Sequence, residues 1–551
     1  MKNIERTGLN IRVSVAFALC GFLMSCSDEQ QSIVDTKGSG EMSVAPKTGA
    51  SLVRGNSIEP SSLDPHKILI DSEDVIVSDL YEGLVTLDQD GAVQPGIAYS
   101  WETSDNQTFT FKLREDARWS NGEPVVAKDF VFGWRRALAP ETASRCPEYI
   151  TPAKIRNSEA VVSGTNRPEK LGVRAIGPHI LEVSLEQPTA YFVSMVSGAC
   201  FVPLHRESLE KNGDHWTRPG KLVGNGPFEL SKWRVNEKIE LTRNPYYWGV
   251  DKVRIEKVTY LPISTDAEFF RYQSGEVDLT WGVPDDQFAS LRDSSPVELF
   301  SITGYGSHGF AINTIKPPLN DPKIRKALAY ALDREIITGK VFNDGDTPAY
   351  TNVWDKMPGM APLEVPWSTL NQQQRIAEAK KLMAAAGYSE NRPLRLKLPY
   401  IKSPNNRKFV LAASALWKEA LGVEVEHIAI EWKSMVDTVQ KGEFDLVPMG
   451  VGDSYPDPSS ILNHRLTGAN QQFGYSSGKF DQIMAEASAS VDAEQRAQLY
   501  AQAEMVLAED MPFIPIFRQS NSLLAKPHVR GIARQAIGYP KSKDLWIADQ
   551  E

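Results

Sequence analysis

The stretch that constrains the fold most strongly is residues 108–143, in which three local patterns follow one another. Residues 108–113 alternate polar and apolar side chains, and such alternation predicts a strand with one buried face. The sequence Ser-Asn-Gly at 120–122 predicts a turn, because Asn and Gly tolerate a positive φ. From Asp129 onward, apolar residues enter a segment that ends in two arginines, which is typical of a helix. The stretch therefore predicts a strand, a turn and a helix, in that order.

The size and composition of the chain indicate a soluble protein with more than one domain. Its 551 residues exceed what one hydrophobic core usually covers, so we expect two or three domains. The apolar content of 41% and the charged content of 24% are ordinary for a globular protein. The net charge of −10 argues against a nucleic-acid partner, which requires a basic face.

The N-terminus has the layout of an export signal. Basic residues precede an apolar run at 13–24 that is too short to anchor in a bilayer, and residues 23–26 read Leu-Met-Ser-Cys. This tetrapeptide resembles a bacterial lipobox, in which Cys26 becomes the lipid-modified first residue. We therefore predict a signal peptide at 1–25, a lipidated flexible tether at 26–50 and an extracytoplasmic lipoprotein that is anchored to a membrane. The alternatives are an uncleaved core helix and an ordinary secretory signal.

Two cysteines remain after Cys20 in the signal and Cys26 in the lipobox. In an exported protein Cys146 and Cys200 can pair, or they can be two buried free thiols. Both alternatives stay open here, because a sequence does not give the distance between two side chains.

The spacing of apolar residues predicts several further elements. Residues 239–241 and 253–261 are predicted strands. Apolar side chains at helical spacing predict three helices, at 325–341, 373–386 and 493–509.

Several short motifs follow one another along the chain. The most specific is Ala-x-Trp-Ser-x-Gly-x-Pro, which starts at Ala117. The other motif-bearing segments are 59–67, 79–84, 224–228, 244–248, 271–278, 312–328 and 455–458. In their residues and in their order, these segments resemble the extracytoplasmic solute-binding proteins of peptide ABC importers, known as family 5. The resemblance runs from about Leu52 to the C-terminus.

The resemblance implies an architecture. It is an α/β fold like that of the periplasmic binding proteins, with two lobes, an extra subdomain and a hinge cleft (type II, cluster C). Residues 51–78, 200–304 and 523–551 are expected to form lobe I. Residues 79–199 are expected to form a subdomain packed on lobe I, and residues 305–522 to form lobe II. Two chain crossings between the lobes are expected to act as the hinge.

The resemblance also implies where a ligand binds. In the family, extended segments of both lobes hydrogen-bond the backbone of a peptide, and one acid binds its α-ammonium group. Counting back from Pro458 puts that acid at Ser454, whereas this chain has an acid one residue earlier, at Asp453. Either the loop shifts or the clamp is altered, and the alternative role for Asp453 is to cap a turn. The predicted ligand-binding residues are Leu69, Ile70, Asp71, Trp432, Gly450, Val451, Gly452, Asp453, Ser454 and Tyr455.

The predicted pocket departs from the family pattern. Val451 stands where oligopeptide-binding members have a tryptophan, and the glycine-rich stretch 304–309 lies near the place where they have tyrosines. Trp432 matches the family, and the alternative is an aromatic residue of the lobe core. Neutral residues replace basic ones that meet ligand carboxyl groups, and these are Asn406, Val439 and Pro448. The ligand is therefore an oligopeptide or another solute, such as a murein peptide, an oligosaccharide or a chelated metal.

Two motifs suggest enzymes instead. Residues 304–309 fit Gly-x-Gly-x-x-Gly, but a dinucleotide site needs a helix after this loop, and the sequence there predicts a strand. Gly452-Asp453-Ser454 resembles an esterase nucleophile block, but His464 is the one histidine close to it in the sequence. We therefore predict no catalytic residue, no metal site and no cofactor. The alternative of another class is an exported hydrolase that uses Asp453 or Ser454.

The sequence as a whole thus predicts a lipid-anchored receptor outside the cytoplasm. It is expected to be a monomer that captures an oligopeptide when its two lobes close. By the resemblance, it then delivers the peptide to the transmembrane subunits of an ABC permease.

Overall fold

A computed structural model describes residues 46–452, 454–536 and 538–549 of the chain. The predicted signal peptide and almost all of the tether, with Cys26, lie outside the described residues, and so does Asp453. In chain order the strands are β1 (Ala50–Gly55), β2 (Val85–Leu87), β3 (Val93–Pro95), β4 (Ala98–Glu102), β5 (Thr108–Leu113), β6 (Val173–Gly177), β7 (Ile180–Ser184), β8 (Phe228–Arg234), β9 (Lys238–Arg243), β10 (Ile255–Leu261), β11 (Leu299–Thr303), β12 (Ser307–Ile312), β13 (Thr347–Pro348), β14 (Arg395–Ile401), β15 (Glu424–Ile430), β16 (Leu446–Val451), β17 (Phe513–Arg518), β18 (Ser520–Leu524), β19 (Val529–Arg530), β20 (Gln535–Ala536) and β21 (Trp546–Ile547).

The helices are interleaved with these strands. In chain order they are α1 (Asp71–Leu80), α2 (Ala127–Leu138), α3 (Pro147–Ile150), α4 (Ser158–Val162), α5 (Phe192–Met195), α6 (Arg206–Asn212), α7 (Thr265–Ser274), α8 (Phe288–Ser294), α9 (Pro322–Ala331), α10 (Arg334–Ile336), α11 (Gln372–Ala385), α12 (Pro404–Leu421), α13 (Trp432–Gln440), α14 (Ser459–Leu462), α15 (Gly478–Ala489) and α16 (Ala493–Asp510). In the described part of the chain, no helix is both long enough and apolar enough to cross a bilayer.

The strand and the helix predicted for residues 108–143 are confirmed as β5 and α2. The apolar side chains of β5 are buried and the alternate ones are not, as the sequence pattern predicts. One Asp129 carboxylate oxygen accepts a hydrogen bond from the backbone N of Val126 (2.9 Å) and another from Nε1 of Trp119 (3.2 Å). Asp129 therefore fixes the start of α2 and also holds the buried Trp119 against it.

This block forms the centre of an antiparallel sheet with the order β4-β5-β7-β6. Its core contains large aromatic side chains, which include Phe109, Phe111, Trp119, Phe130 and Trp134. Cys146 and Cys200 form a disulfide at the side of this core, with a Cα–Cα distance of 5.5 Å. A buried ion pair connects α2 to the motif-bearing segment 59–67, because Arg136 donates to both carboxylate oxygens of Asp64 (3.0 and 2.7 Å).

A second sheet has the order β1-β10-β9-β8, with β1 parallel to β10 and the other pairs antiparallel. Its core draws mainly on residues 50–81, 202–302 and 523–547, so three separate stretches of chain build one unit. The small β19–β21 pair closes this unit, and the backbone N of Lys47 donates to the carbonyl oxygen of Ile547 (2.9 Å).

A third, antiparallel sheet has the order β13-β17-β12-β16, and the parallel pair β14–β15 lies beside it. Helices α9, α11, α12, α15 and α16 contribute to the two hydrophobic cores of this region, which draws on residues 305–517. The chain enters the region after β11 and leaves it through β18, and these two strands pair antiparallel with Thr303 opposite Ser520. The two side-chain hydroxyls of this pair are 2.9 Å apart.

Of the three predicted helices in this region, two are confirmed and the third is helical except for a short break. The predictions for 373–386 and 493–509 match α11 and α16 to within a residue at each end. The predicted helix at 325–341 is interrupted after α9, because the side chain of Asp333 accepts a hydrogen bond from the backbone N of Ile336 and starts a new helix there. That helix, α10, continues as a π-helix over Ile337–Phe342.

The strand predicted after the glycine-rich stretch 304–309 is β12. It begins at Ser307, inside the motif, so no helix follows the glycines. The dinucleotide-binding interpretation therefore has no structural basis, because phosphate binding by this motif uses a helix N-terminus. The strands predicted at 239–241 and 253–261 correspond to β9 and β10, and β10 begins two residues later than predicted.

Candidate functional site

A cavity of about 450 Å³ lies between two parts of the molecule. One part consists of residues that precede β11 or follow β18, and the other consists of residues in the region between these two strands. We call it the charged cavity, because its lining includes Asp71, Asp74, Glu82, Asp88, Lys541, Lys543 and Asp544. The predicted site residues Asp71, Ser454 and Tyr455 line it. Asp71 belongs to the first turn of α1, and Ser454 and Tyr455 follow β16 from the other side. The structure thus brings these two predicted segments to one cavity.

Glu82 and Lys543 form a buried ion pair at this cavity, with Nζ 2.9 Å from Oε2. Tyr247 donates its hydroxyl and Trp248 its indole N–H to the same carboxylate, each at 2.6 Å. Burial disfavours the ionised form, but the charge of Lys543 and these hydrogen bonds outweigh it and lower the pKa of Glu82. Because Lys543 is already paired, its charge is largely satisfied within the protein.

Lys541 is the second cation of the charged cavity. Its Nζ donates to the Thr86 hydroxyl (2.9 Å) and to the carbonyl oxygen of Leu87 (3.1 Å). Burial, and then the neighbouring Lys543, lower the pKa of Lys541. These contacts connect the C-terminal segment to the β2–β3 hairpin, so the base of the cavity is held together by hydrogen bonds.

Beside the charged cavity, two tyrosines from the region between β11 and β18 contact the part of the chain that precedes β11. The hydroxyl of Tyr305 donates to the carbonyl oxygen of Asp90 in the β2–β3 turn (2.7 Å). Tyr455 stacks on Tyr191, with ring centroids 5.6 Å apart and an interplanar angle of 9°. Burial raises the pKa of Tyr455 well above its usual value, so its hydroxyl stays protonated. Tyr305 was not among the predicted site residues, although it lies in the glycine-rich stretch that the sequence singled out.

A second cavity, of about 780 Å³, lies among β12, β16, β17, α12 and α13. We call it the aromatic cavity, because Phe342, Phe409, Trp432, Phe517 and the ring of His308 line it. The predicted residues Trp432 and Gly450 are in its lining, together with the three neutral replacements Asn406, Val439 and Pro448. Trp432 is 67% exposed, so it is not an aromatic residue of the lobe core.

Gly450 lines this cavity, and the ring of His308 leaves no room for a side chain at this position. The two residues are opposite each other on β16 and β12, and a Cβ at position 450 would lie 2.5 Å from Cε1 of His308. Val451, the next residue, is 6% exposed and packs in the neighbouring core. Successive side chains of a strand point to opposite faces of the sheet. The side chain of Val451 therefore packs in the core and does not line the cavity, in contrast to the predicted ligand contact.

Of the remaining predicted residues, Leu69, Ile70 and Gly452 line neither cavity. Leu69 and Ile70 are exposed just before α1, where the backbone N of Leu69 donates to Oε2 of Glu73 (2.6 Å). Gly452 is exposed, and Asp453 lies outside the described residues. Within the described ranges, no group of three or more His, Cys, Asp or Glu side chains is placed to hold a metal ion.

Comparison with known proteins gives one consistent family. The model of the bacterial extracellular solute-binding proteins, family 5, matches residues 92–473. The periplasmic oligopeptide-binding protein OppA of Salmonella typhimurium is 40% identical over 483 residues, which are 87% of this chain and 89% of that protein.

Solved structures agree with the fold. The unliganded open form of the murein tripeptide-binding protein MppA superposes with a TM-score of 0.86 at 34% identity, over 92% of this chain and 99% of that one. Haemophilus influenzae OppA in complex with the peptide RPPGFSPFR superposes with a TM-score of 0.71 at 35% identity, over 92% of this chain and 100% of that one. The predicted α/β fold with two lobes is therefore confirmed. The chain belongs to family 5 of the bacterial extracellular solute-binding proteins.

Proposed function

We propose that this chain is a membrane-anchored receptor that captures oligopeptides by hinge closure and delivers them to an ABC permease. Lobe I is formed by 51–78, 200–304 and 523–551, the subdomain by 79–199, and lobe II by 305–522. The distribution of the hydrophobic cores supports this division, because each core draws mainly on one of these sets.

The observation that carries the proposal is the difference between two superpositions. At nearly equal identity, the chain superposes better on an unliganded open form (TM-score 0.86) than on a peptide complex (TM-score 0.71). Since sequence divergence is nearly the same in both cases, the difference supports an open arrangement of the lobes, from which the chain is proposed to close on a ligand.

The hinge of the proposed closure is the antiparallel pair β11–β18. Both crossings between the lobes run through this pair, so a change of backbone angles near Thr303 and Ser520 moves one lobe relative to the other. A ligand that touches both lobes only in the closed form has more contacts there. That difference in contacts shifts the population toward closure.

The anchor and the permease belong to the same proposal. The lipobox ending at Cys26 supports lipid attachment. Pro46, Lys47 and Ala50 belong to the folded body, so the proposed tether is shorter than the sequence predicts and would run over 27–45, with a reach of roughly 22–26 Å from the membrane. This reach lets the receptor stay close to a membrane-embedded permease while its lobes open and close.

We expect Asp453 to bind the α-ammonium group of the peptide. Asp453→Asn should weaken the binding of a free peptide by roughly 2–5 kcal/mol, because a buried cation then faces a neutral partner. Acetylating the N-terminus of the peptide should cost a similar amount, and the two losses should not add, since both remove the same interaction. Isothermal titration calorimetry measures the affinity of the wild type and of the Asp453→Asn variant for the free and for the acetylated peptide. Ser454→Ala is the matched control and should cost only about 0.5–1.5 kcal/mol.

Native mass spectrometry of the protein, purified without denaturant, tests the peptide-binding function itself. We expect mass adducts that are released on denaturation and that fragment as peptides. Adducts of a single non-peptide solute, such as an oligosaccharide, together with no binding of any added peptide, would show that the ligand belongs to another class.

A further inference from the structure

One side of the aromatic cavity is an apolar face of α13. Trp432, Met435, Val436 and Val439 follow one another at the i, i+3, i+4, i+7 spacing of one helix face, and all four line the cavity. Such a stripe usually packs against protein. Here Trp432 is 67% exposed and Val436 is 37% exposed, so the protein leaves apolar surface uncovered inside a cavity.

The cavity also contains a group of aromatic rings that are packed on each other. His308 stacks on Phe517 with ring centroids 5.2 Å apart, and Phe409 meets the same ring edge-on at 5.5 Å. Phe342 lies 5.1 Å from Phe517. Mutual packing of these rings holds their positions, so this part of the lining is apolar and preformed.

The charges of the cavity are unfavourable for an anion. Among its described lining residues there is no Lys or Arg, and the acids are Asp344 and Asp346. Burial lowers the pKa of the one histidine in the lining, His308, so its ring stays neutral at pH 7. Lys408 lies near Asp344 but is not part of the lining. A ligand carboxylate placed here would lose its water without gaining a cation, which is costly.

The acids do not make the cavity a strong cation site either. Asp346 already accepts a hydrogen bond from the backbone N of Ser520 (2.9 Å). Burial, and then the neighbouring Asp344, raise the pKa of Asp346 to about 8. Burial also raises the pKa of Asp344. Both acids are thus shifted toward their neutral forms, and an uncharged apolar group suits the cavity better than an ammonium group does.

The cavity has the size and the position of a subsite for the same ligand. Its volume of about 780 Å³ falls in the range of roughly 300–1,000 Å³ that is typical of ligand sites. Gly450 lines the aromatic cavity and Ser454 lines the charged cavity. Four residues span at most about 14 Å, so one extended ligand can reach both cavities.

We propose that the aromatic cavity receives a large apolar side chain of the bound peptide, aromatic or branched aliphatic, and rejects a carboxylate. This inference rests on the proposed peptide-binding function and adds a specificity to it. Trp432 and Val439 on α13, with the Phe517 cluster, determine that specificity.

Calorimetry with a defined set of peptides tests the inference on the full-length chain at pH 7. The parent is pentaalanine, and Phe, Lys or Glu replaces one alanine at a time, at each of the five positions. At one position we expect Phe to tighten binding by at least about ten-fold, because an aromatic ring is buried there. At the same position Glu should bind at least about ten-fold more weakly than alanine, and Lys should not exceed Phe.

Two variants assign the effect to the cavity. Trp432→Ala should remove most of the gain from Phe, so that the Phe peptide and pentaalanine bind this variant with similar affinities. Val439→Arg should reverse the penalty for Glu by supplying the missing cation. Val235→Arg is the matched control, because Val235 is 59% exposed in the β8–β9 turn, and it should leave the whole series unchanged.

The outcomes separate the specificity from the function on which it rests. If all peptides bind with the same affinity as pentaalanine, or if Glu or Lys binds most tightly at every position, the proposed specificity is overturned while peptide binding stands. If no peptide of the set binds and native mass spectrometry detects no peptide, the proposed function fails, and the specificity fails with it.

Discussion

At the scale of single residues, Glu268 is a carboxyl group whose burial is only partly compensated. It is fully buried in α7, and its Oε2 accepts hydrogen bonds from the backbone N of Trp281 (2.7 Å) and of Gly282 (3.2 Å). Within the described part of the chain, its Oε1 has no hydrogen-bond partner. Burial raises the pKa of Glu268 to about 7, despite these hydrogen bonds and the nearby charge of Arg54.

This raised pKa predicts a pH-dependent contribution to stability. Between the unfolded pKa of about 4.5 and the folded pKa of about 7, the folded state binds more protons than the unfolded state. The contribution of Glu268 is therefore fully present below about pH 4.5 and is lost as the pH rises through about 7. Glu268→Gln removes this dependence, so from pH 5 to pH 8 the variant should gain roughly 2–3 kcal/mol of unfolding free energy relative to the wild type.

Urea unfolding at the two pH values measures this difference. Glu390→Gln is a suitable control, because Glu390 is an exposed glutamate, and its effect should be small and equal at both pH values. An effect of Glu268→Gln that is the same at pH 5 and at pH 8 would contradict the raised pKa.

At the scale of elements, the β12–β16 pair depends on the contact between Gly450 and His308. The His308 ring is stacked on Phe517 and is close to Gly450, so it has little room to move away from an added methyl group. Gly450→Ala should therefore lower the unfolding free energy by about 1–3 kcal/mol, which is typical of overpacking.

A double-mutant cycle assigns that loss to the contact. In a His308→Ala background, Gly450→Ala should cost at least about 1 kcal/mol less than in the wild type, because the ring that it meets is absent. Chemical denaturation of the four proteins gives the coupling energy. Equal costs in both backgrounds would mean that the glycine is needed for another reason, such as its backbone angles.

The elements that the sequence predicted well are those whose signals are local. β5, α2, α11 and α16 follow from apolar periodicity, which a single segment carries. The interruption after α9 was missed, because the apolar spacing continues through it and only the capping side chain of Asp333 marks it. A cap depends on one residue, so a method that follows the spacing of apolar residues does not detect it.

The site was predictable only in part, for a related reason. The family pattern pointed to Trp432, Asn406, Val439 and Pro448, and the structure brings all four to one cavity. His308 was missed because its role comes from the β12–β16 register, which joins residues far apart in the chain. The two faces of β16 also explain why Gly450 lines a cavity while the side chain of Val451 packs in the core.

At the scale of the whole molecule, two cavities of different chemistry lie near the β11–β18 crossings. The charged cavity holds its cations in internal contacts, and the aromatic cavity leaves apolar surface uncovered. If a peptide closes the lobes, that surface leaves water, and binding stabilises the fold. The expected gain is RT ln(1 + [L]/Kd), which is about 2.7 kcal/mol at a ligand concentration of one hundred times Kd.

Small-angle X-ray scattering of the full-length chain, with and without a saturating peptide pool, tests hinge closure most directly. Because the chain superposes better on an unliganded open form than on a peptide complex, we predict a smaller radius of gyration when peptide is bound. The Asp453→Asn variant should stay expanded at a peptide concentration that compacts the wild type. Tight peptide binding with an unchanged radius of gyration would contradict closure as the mechanism of capture.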